Sequence, residues 1–400
     1  MFCQQKNSYL QTVHGQVNPR LLNRCIVRAR KQKLEDILDV SPGLNRLASH
    51  QPSIPTENDF DPTKRTLPFG RSGIPILRRD LQQPDVIMVL RTLSTMNDLL
   101  KNPEKAYEAI RLRVQDRLIT VIPREEQFVR ERCCLSYQLL SAYADGKRAM
   151  VANPDIVQLF LRLIKDEKPE VRLKAAHCLE RISSFWMTAD GLVEAGFIKP
   201  LMDRIGVDEP EVSSVHLYTL AHLMYGNGKY IGMEAGAFDL MVRLLDALDL
   251  EVRKGALRCL MLMTSTDLGK QMAAKCNLLV ILARILHEDE SLYVDAASVL
   301  IYCTMLVQAK AASAKMKMIP TRLVRLCKNH LNPDLQLFCL KALTNISEHP
   351  DVRQLMKKKH LGRLKRIPVS TDLLKKHKNI LLRVVTWDPS DLVCTFGNQD

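Results

Sequence analysis

An apolar residue returns at Met96, Tyr137, Leu179, Leu220, Leu260, Leu300 and Leu343, at intervals of 41, 42, 41, 40, 40 and 43 residues in a chain of 400. Three and four residues before each stands a pair of mostly small or apolar residues: Thr92-Leu93, Cys133-Cys134, Ala175-Ala176, His216-Leu217, Ala256-Leu257, Ala296-Ala297 and Cys339-Leu340. Such spacing places all three residues on one helix face. A period near forty is the mark of stacked helical units, none of which can bury its apolar face alone. Long arrays of this kind are most often binding surfaces, so function is sought in partners before chemistry.

One unit is clearest between Gly191 and Met224. Gly191 to Gly196 reads as a short helix stopped by glycine, and Phe197 to Ile205 as a second helix with apolar residues three and four apart. Asp208-Glu209-Pro210-Glu211-Val212 opens a third. Acids and proline suit a helix's first turn, where amide donors are unpaired and the dipole favours negative charge. The same opening recurs at Asp166 to Arg172, Asp249 to Arg253, His287 to Leu292 and Asn332 to Leu335. Second helices recur at Ile156 to Ile164, Phe238 to Leu245, Leu278 to Leu286 and Ile319 to Cys327. This three-helix grammar resembles the armadillo repeat over residues 65–365, with the HEAT repeat as structural alternative. It implies an all-α, armadillo-type (ARM/HEAT-like) right-handed helical solenoid of about seven repeats, preceded by a basic helix and linker over 1–60 and followed by a capping or tail segment over 366–400.

The formal charge of +14 sits at the ends. Residues 1–34 carry seven Lys and Arg and no acid, and residues 351–383 carry eleven against two Asp, which leaves about −2 elsewhere. A basic groove threaded by nucleic acid is therefore disfavoured, whereas basic ends suit an acidic docking surface such as tubulin, an acidic protein or RNA. The candidate docking cluster is Lys357, Lys358, Lys359, Arg363, Lys365 and Arg366, with Lys375-Lys376-His377-Lys378 beyond it. The plain alternative is that both runs only solvate capping helices. Asn18 to Val40 reads as a basic amphipathic helix, with a docking helix, a transit peptide and a mobile tail as competing roles.

The eleven cysteines are odd in number and fall mainly on apolar helix positions, and no apolar signal segment is seen, so reduced core thiols in the cytoplasm are expected. The uncharged run Ala296 to Ala309 is too short to span a bilayer. Gly226-Asn227-Gly228-Lys229 lacks the spacing of a phosphate loop, and Tyr230 stands where a magnesium-binding hydroxyl would follow. It reads as a turn between repeats. Cys327, His330 and Cys339 lack a paired Cys-x-x-Cys, so core packing is the expected role of the cysteines. No catalytic, metal or cofactor constellation is visible, and no enzyme activity, small-molecule substrate or cofactor is expected.

In armadillo proteins of the nuclear-import type, the third helix resembles Trp-x-x-x-Asn, whose asparagines clamp an extended peptide. Here the Trp position holds Ser94, Leu135, His177, Tyr218, Arg258, Ser298 and Lys341, and the Asn position Asp98, Leu139, Arg181, His222, Leu262, Tyr302 and Asn345. Only Asn345 matches. The candidate partner-binding residues are Asp98, His177, Arg181, Tyr218, His222, Arg258, Tyr302, Lys341 and Asn345, a mixed row suited to a folded or irregular partner.

Ahead of the first repeat stand Asp61-Pro62-Thr63-Lys64, Phe69-Gly70-Arg71-Ser72, Leu77 and Asp80-Leu81, leading to Asp98-Leu99-Leu100-Lys101-Asn102-Pro103-Glu104-Lys105-Ala106-Tyr107-Glu108-Ala109-Ile110. In plain structural terms a helix ends before Asn102-Pro103, and the next carries Tyr107 and Ile110 into the core. The combined segment resembles the opening of the radial spoke head protein 14 homologues, an armadillo-repeat family of cilia and flagella. The resemblance implies a non-enzymatic component of the axonemal radial spoke, in the cytoskeleton of motile cilia or flagella. Its expected partners are other spoke proteins and acidic tubulin surfaces, with no membrane and no nucleic acid. The alternative is a cytoplasmic or nuclear armadillo adaptor for a signalling or transport partner.

Overall fold

The computed structural model describes residues 61, 63–65, 73–123 and 126–388; the basic segment Asn18 to Val40 and its linker lie outside them. The chain divides after Ile156 into two compact units. The eight long helices of the described residues are labelled α1 to α8, and shorter ones are given by their residues.

The first unit holds α1 (Val86–Leu99) and α2 (Gln127–Leu140), packed side by side, with short helices Gly73–Asp80, Pro103–Arg111, Val114–Ile119 and Ala144–Val151 around them. Asp85 starts α1 by accepting a hydrogen bond from the Ile87 amide, and Asn102 caps Pro103–Arg111 from the Glu104 amide. Polar side chains fix the register of α1 on α2. The Ser136 hydroxyl donates to the Asn97 carboxamide oxygen at 2.6 Å, and the Asn97 amide donates to the Arg132 carbonyl at 3.1 Å. Tyr137 is fully buried because its hydroxyl donates to the Gln115 carbonyl at 2.7 Å. Ile110 enters the core as expected, but Tyr107 does not: it is 44% exposed and lies against Tyr143 with ring centroids 5.0 Å apart. Ala106, Ala109 and Ile110 fill the inward stripe of that helix and leave the bulky ring at its margin.

The second unit is a stack of α3 (Pro169–Ser183), α4 (Pro210–Leu223), α5 (Leu250–Thr264), α6 (Tyr293–Cys303), α7 (Pro333–Ser347) and α8 (Asp372–Thr386), each packed on the next. First helices Trp186–Glu194, Gly228–Glu234, Asp267–Lys275 and Val307–Lys315 lead into second helices Ile198–Arg204, Ala237–Leu244, Leu278–Ile285 and Met318–Leu326. The fold is thus the all-α ARM/HEAT-like helical repeat. All seven anchors, and every residue of the pairs before them, have no exposed surface. Proline opens α3, α4 and α7, while Asp249 and Asn332 cap α5 and α7 by accepting from Val252 and Leu335 amides. Where first helices pass into second ones the backbone turns left-handed, at Gly196 (φ 79°), Gly236 (φ 84°) and Asn277 (φ 53°).

A second recurring position lies eight or nine residues past the anchor, where each first helix crosses the end of the preceding long helix. A Cβ at Gly228 would stand 2.2 Å from the Leu223 carbonyl oxygen, and one at Gly269 2.0 Å from that of Met263. Thr188 holds the equivalent place with its hydroxyl bonded to the Ile182 carbonyl. Gly228 belongs to the Gly-Asn-Gly-Lys stretch, which here forms the turn and first residues of a repeat's opening helix. Gly269→Val is expected to destabilise the protein by about 2–3 kcal/mol, since backbone must move to admit the side chain. Chemical denaturation checks this; a midpoint equal to wild type would refute the close crossing.

The repeats are also latched at one register. Arg172, seven residues before its anchor, reaches the next turn and lies 2.8 Å from Asp208, which is bonded as well by Arg204 four residues earlier. Arg253 and Arg284 repeat this on Glu288. Asp208 is fully buried, Arg172 is 13% exposed and Arg204 21%, so this latch is shielded from solvent and salt. Against it lies His216, whose Nε2 is 3.9 Å from an Asp208 oxygen. Burial depresses the imidazole pKa to about 4, outweighing the opposing pull of Asp208. The folded value is below the ordinary 6.5, so the unfolded chain binds more protons between these limits and stability falls as pH drops from about 6.5 to 4. The loss is on the order of 2–3 kcal/mol at the acid end. In His216→Leu the stability difference between pH 6.5 and 4.5 is expected to shrink; an identical slope would show that His216 does not titrate this way.

Candidate protein-binding face

Residues two before and two after an anchor lie one turn apart on the same side of their long helix, where most are partly or fully exposed and Leu262 and Ser298 are buried. In the first unit this position gives Asp98, which is 2.8 Å from Lys64 and 2.9 Å from Lys101. Its carboxyl is held below the ordinary carboxylate value by hydrogen bonds from those two ammoniums. Lys64 is also 3.6 Å from Asp61, so Asp61, Lys64 and the end of α1 meet in one charged cluster.

In the second unit the face is knitted together from helix to helix. His177 lies 3.5 Å from Glu180, whose carboxyl is lowered by that contact, and the His222 Nδ1 is 2.9 Å from the Ser183 hydroxyl. The Tyr218 hydroxyl donates to Glu251 at 2.6 Å. Burial and then this hydrogen bond raise the phenol pKa. Arg258 stacks 4.8 Å from the centre of the Tyr218 ring and reaches Asp295 at 3.3 Å. Four residues from α4, α5 and α6 thus form one network. Arg181 is exposed, whereas Tyr302 and Lys341 are half-buried.

Asn345, the one match to the peptide-clamp pattern, is turned inward along the array. Its amide donates to the Ile301 carbonyl at 2.9 Å and lies 3.3 Å from the Thr304 hydroxyl. The hydrogen bonds that would hold a peptide instead join α7 to α6.

The basic cluster occupies the last described unit. Lys357, Lys358 and Lys359 are exposed on a π-helical turn, and Lys357 lies 3.6 Å from Asp388. Arg363, Lys365 and Arg366 are exposed on and just after helix Leu361–Lys365. Lys378, from the second basic run, is structural: it donates to the Lys365 and Ile367 carbonyls at 2.8 and 2.7 Å. Sequence reasoning read the long helices only as far as α7, leaving the region beyond as a capping or tail segment, and missed α8 as the sixth long helix of the second unit's stack. Its inward residues Leu374, Leu381 and Val385 provide the signal, with Leu381 thirty-eight residues past Leu343.

Cys133, Cys134, Cys178, Cys259, Cys303, Cys327 and Cys339 are buried, and burial pushes the Cys259 and Cys303 thiols up to about 12. These two thiols are protonated and inert as nucleophiles near neutral pH. His330 is exposed, apart from the buried Cys327 and Cys339, and no group of three metal-ligating residues occurs among the described residues. Among the same residues no helix is long and apolar enough to cross a membrane.

A HEAT repeat model matches residues 156–186. That stretch holds most of the second helix Pro154–Leu163, a turn and all of α3, the helix pair that armadillo and HEAT units share. Three solved structures are similar in fold. An engineered protein aligns with a TM-score of 0.70 and 20% identity over 78% of this chain and 78% of its own. Computationally designed armadillo repeat proteins for modular peptide recognition align at 0.53 and 20%, over 57% of this chain and 99% of theirs. A designed armadillo repeat protein in complex with the peptide (KR)4 gives 0.54 and 19% over the same shares.

Proposed function

We propose that this protein is a non-enzymatic scaffold of motile cilia or flagella, a component of the axonemal radial spoke of the radial spoke head protein 14 type. The helical repeat supports the coarser part of this reading, since arrays of this kind serve as binding surfaces for other proteins. The observation that carries the finer part is the cluster joining Asp61, Lys64, Asp98 and Lys101. It gives the two halves of the family-like opening one shared structural purpose: the segment ahead of the first repeat is anchored on the end of its first long helix. Other spoke proteins are the partners in this reading, and exposed basic residues favour acidic surfaces such as those of tubulin.

Tagged protein in ciliated cells or sperm is expected along the axoneme, with loss of spokes or of motility after deletion. Exclusion from the axoneme, or unchanged spokes and beating in the deletion, would sink this reading. The alternative, a cytoplasmic or nuclear armadillo adaptor, draws on the exposed face of α3 to α6 and on neighbours designed for peptide recognition. One neighbour binds the basic peptide (KR)4. In the second unit the positions two residues either side of the anchors carry Arg181, Arg258, Lys341 and Arg383 and no carboxylate, which disfavours a basic ligand here.

A further inference from the structure

Cations on the long-helix face of the second unit differ in what surrounds them. On α5, Lys254 is held by Glu251 at 2.7 Å and Arg258 by Asp295 at 3.3 Å. These charges are already neutralised and offer little to an incoming partner. On α7 and α8 the arrangement changes. Lys341, Lys376 and Arg383 have no carboxylate partner among the described residues, and Glu348, at the end of α7, is occupied by Lys310.

Register places these three cations on one surface. Leu381 is buried on α8 as Leu343 is on α7, so Arg383 has the offset of Asn345, and the exposed Asn379 that of Lys341. The two helices pack directly together. His377 lies within the field of both Lys341 and Lys376: burial first, and then these two ammoniums, lower its pKa. Like charges held together without compensation raise the energy of the free protein, and an anionic partner relieves that cost.

We propose that the α7–α8 face binds an extended, carboxylate-rich peptide segment of a partner protein, with Lys341, Lys376 and Arg383 meeting its carboxylates. The assignment deepens the scaffold reading and rests on it. A peptide is favoured over single-stranded nucleic acid because the latter needs aromatic faces on which bases stack. The nearby Trp387 ring is already covered by the Arg353 guanidinium at 4.6 Å. Asn379 leaves an exposed amide beside the cations for the peptide main chain. The Lys357 to Lys359 run lies on the π-helical turn rather than on a long helix, and so forms no part of this surface.

Fluorescence polarisation of a labelled oligo-glutamate peptide against the full chain at low salt tests the assignment. Lys341→Gln/Lys376→Gln/Arg383→Gln is expected to weaken binding by about tenfold or more, and Lys357→Gln/Lys358→Gln/Lys359→Gln by less than about threefold. Thermal unfolding identifies any variant that has lost its fold; for such a variant the single Arg383→Gln change, on an exposed side chain, takes its place and should weaken binding on its own. Equal losses in the two triple variants, no loss in the first, or tighter binding of oligo-uridylate than of the peptide would overturn the proposal. Wild-type protein that ignores the peptide yet localises to axonemes also overturns it while leaving the scaffold role intact. Peptide binding by a chain absent from axonemes would do the reverse.

Discussion

Asp208→Ala is expected to destabilise the protein by about 3–5 kcal/mol, the scale seen when one partner of a buried ion pair is removed. The carboxylate has no exposed surface and receives guanidinium groups from α3 and from the helix before α4. Without it Arg172 and Arg204 remain shielded with no counter-charge among the described residues, and His216 loses the carboxylate beside it. Glu288→Ala supplies the control. It removes the homologous latch, but that carboxylate is 35% exposed and water replaces it cheaply, so about 1 kcal/mol or less is expected. Urea denaturation of both variants separates the cases; equal effects would show that burial does not set the strength of the latch.

Leu260→Asp is expected to cost at least about 4 kcal/mol, combining loss of a fully buried leucine with burial of a carboxylate that has no partner. Position in the stack matters as much as burial. Leu260 lies on α5, which packs against α4 on one side and α6 on the other, so one substitution damages two repeat interfaces. Leu381→Asp, on α8, damages the α7 interface and is expected to cost less. Limited proteolysis alongside thermal unfolding reports both effects. If the two variants unfold alike, the stack does not behave as a sum of neighbour contacts.

The sequence made the anchors legible because burial at those positions is absolute and the forty-residue period repeats it seven times. Helix starts were legible through the same logic, since proline and acidic caps act locally. Asp208 shows where that reasoning stops. As sequence it looks like one more first-turn acid, and only the three-dimensional turn brings Arg172 onto it from thirty-six residues upstream. The repeating signal was present in retrospect: Arg204 and Asp208, like Arg284 and Glu288, are four apart, with a further arginine one repeat earlier. Asn345 is the converse case. Its place in the clamp pattern is correct, but a side-chain amide also finds the nearest free carbonyl, and here α6 supplies it. The charge of the docking cluster was visible, whereas the separation of solvated cations from capping ones such as Lys378 depended on contacts that composition does not encode.

A stack of similar units has no intrinsic reason to stop growing, because each layer offers the next the same apolar side. Were both sides of α8 apolar, one copy of the chain could continue another, and a head-to-tail contact that does not close on itself produces filaments. α8 carries Leu374, Leu381 and Val385 inward and Lys375, Lys376 and Arg383 outward. The positive charge that makes this end receptive to an acidic partner also opposes tail-to-tail pairing of two copies through α8. The same lysines and arginine therefore weigh against one mode of self-association as well as favouring an acidic companion.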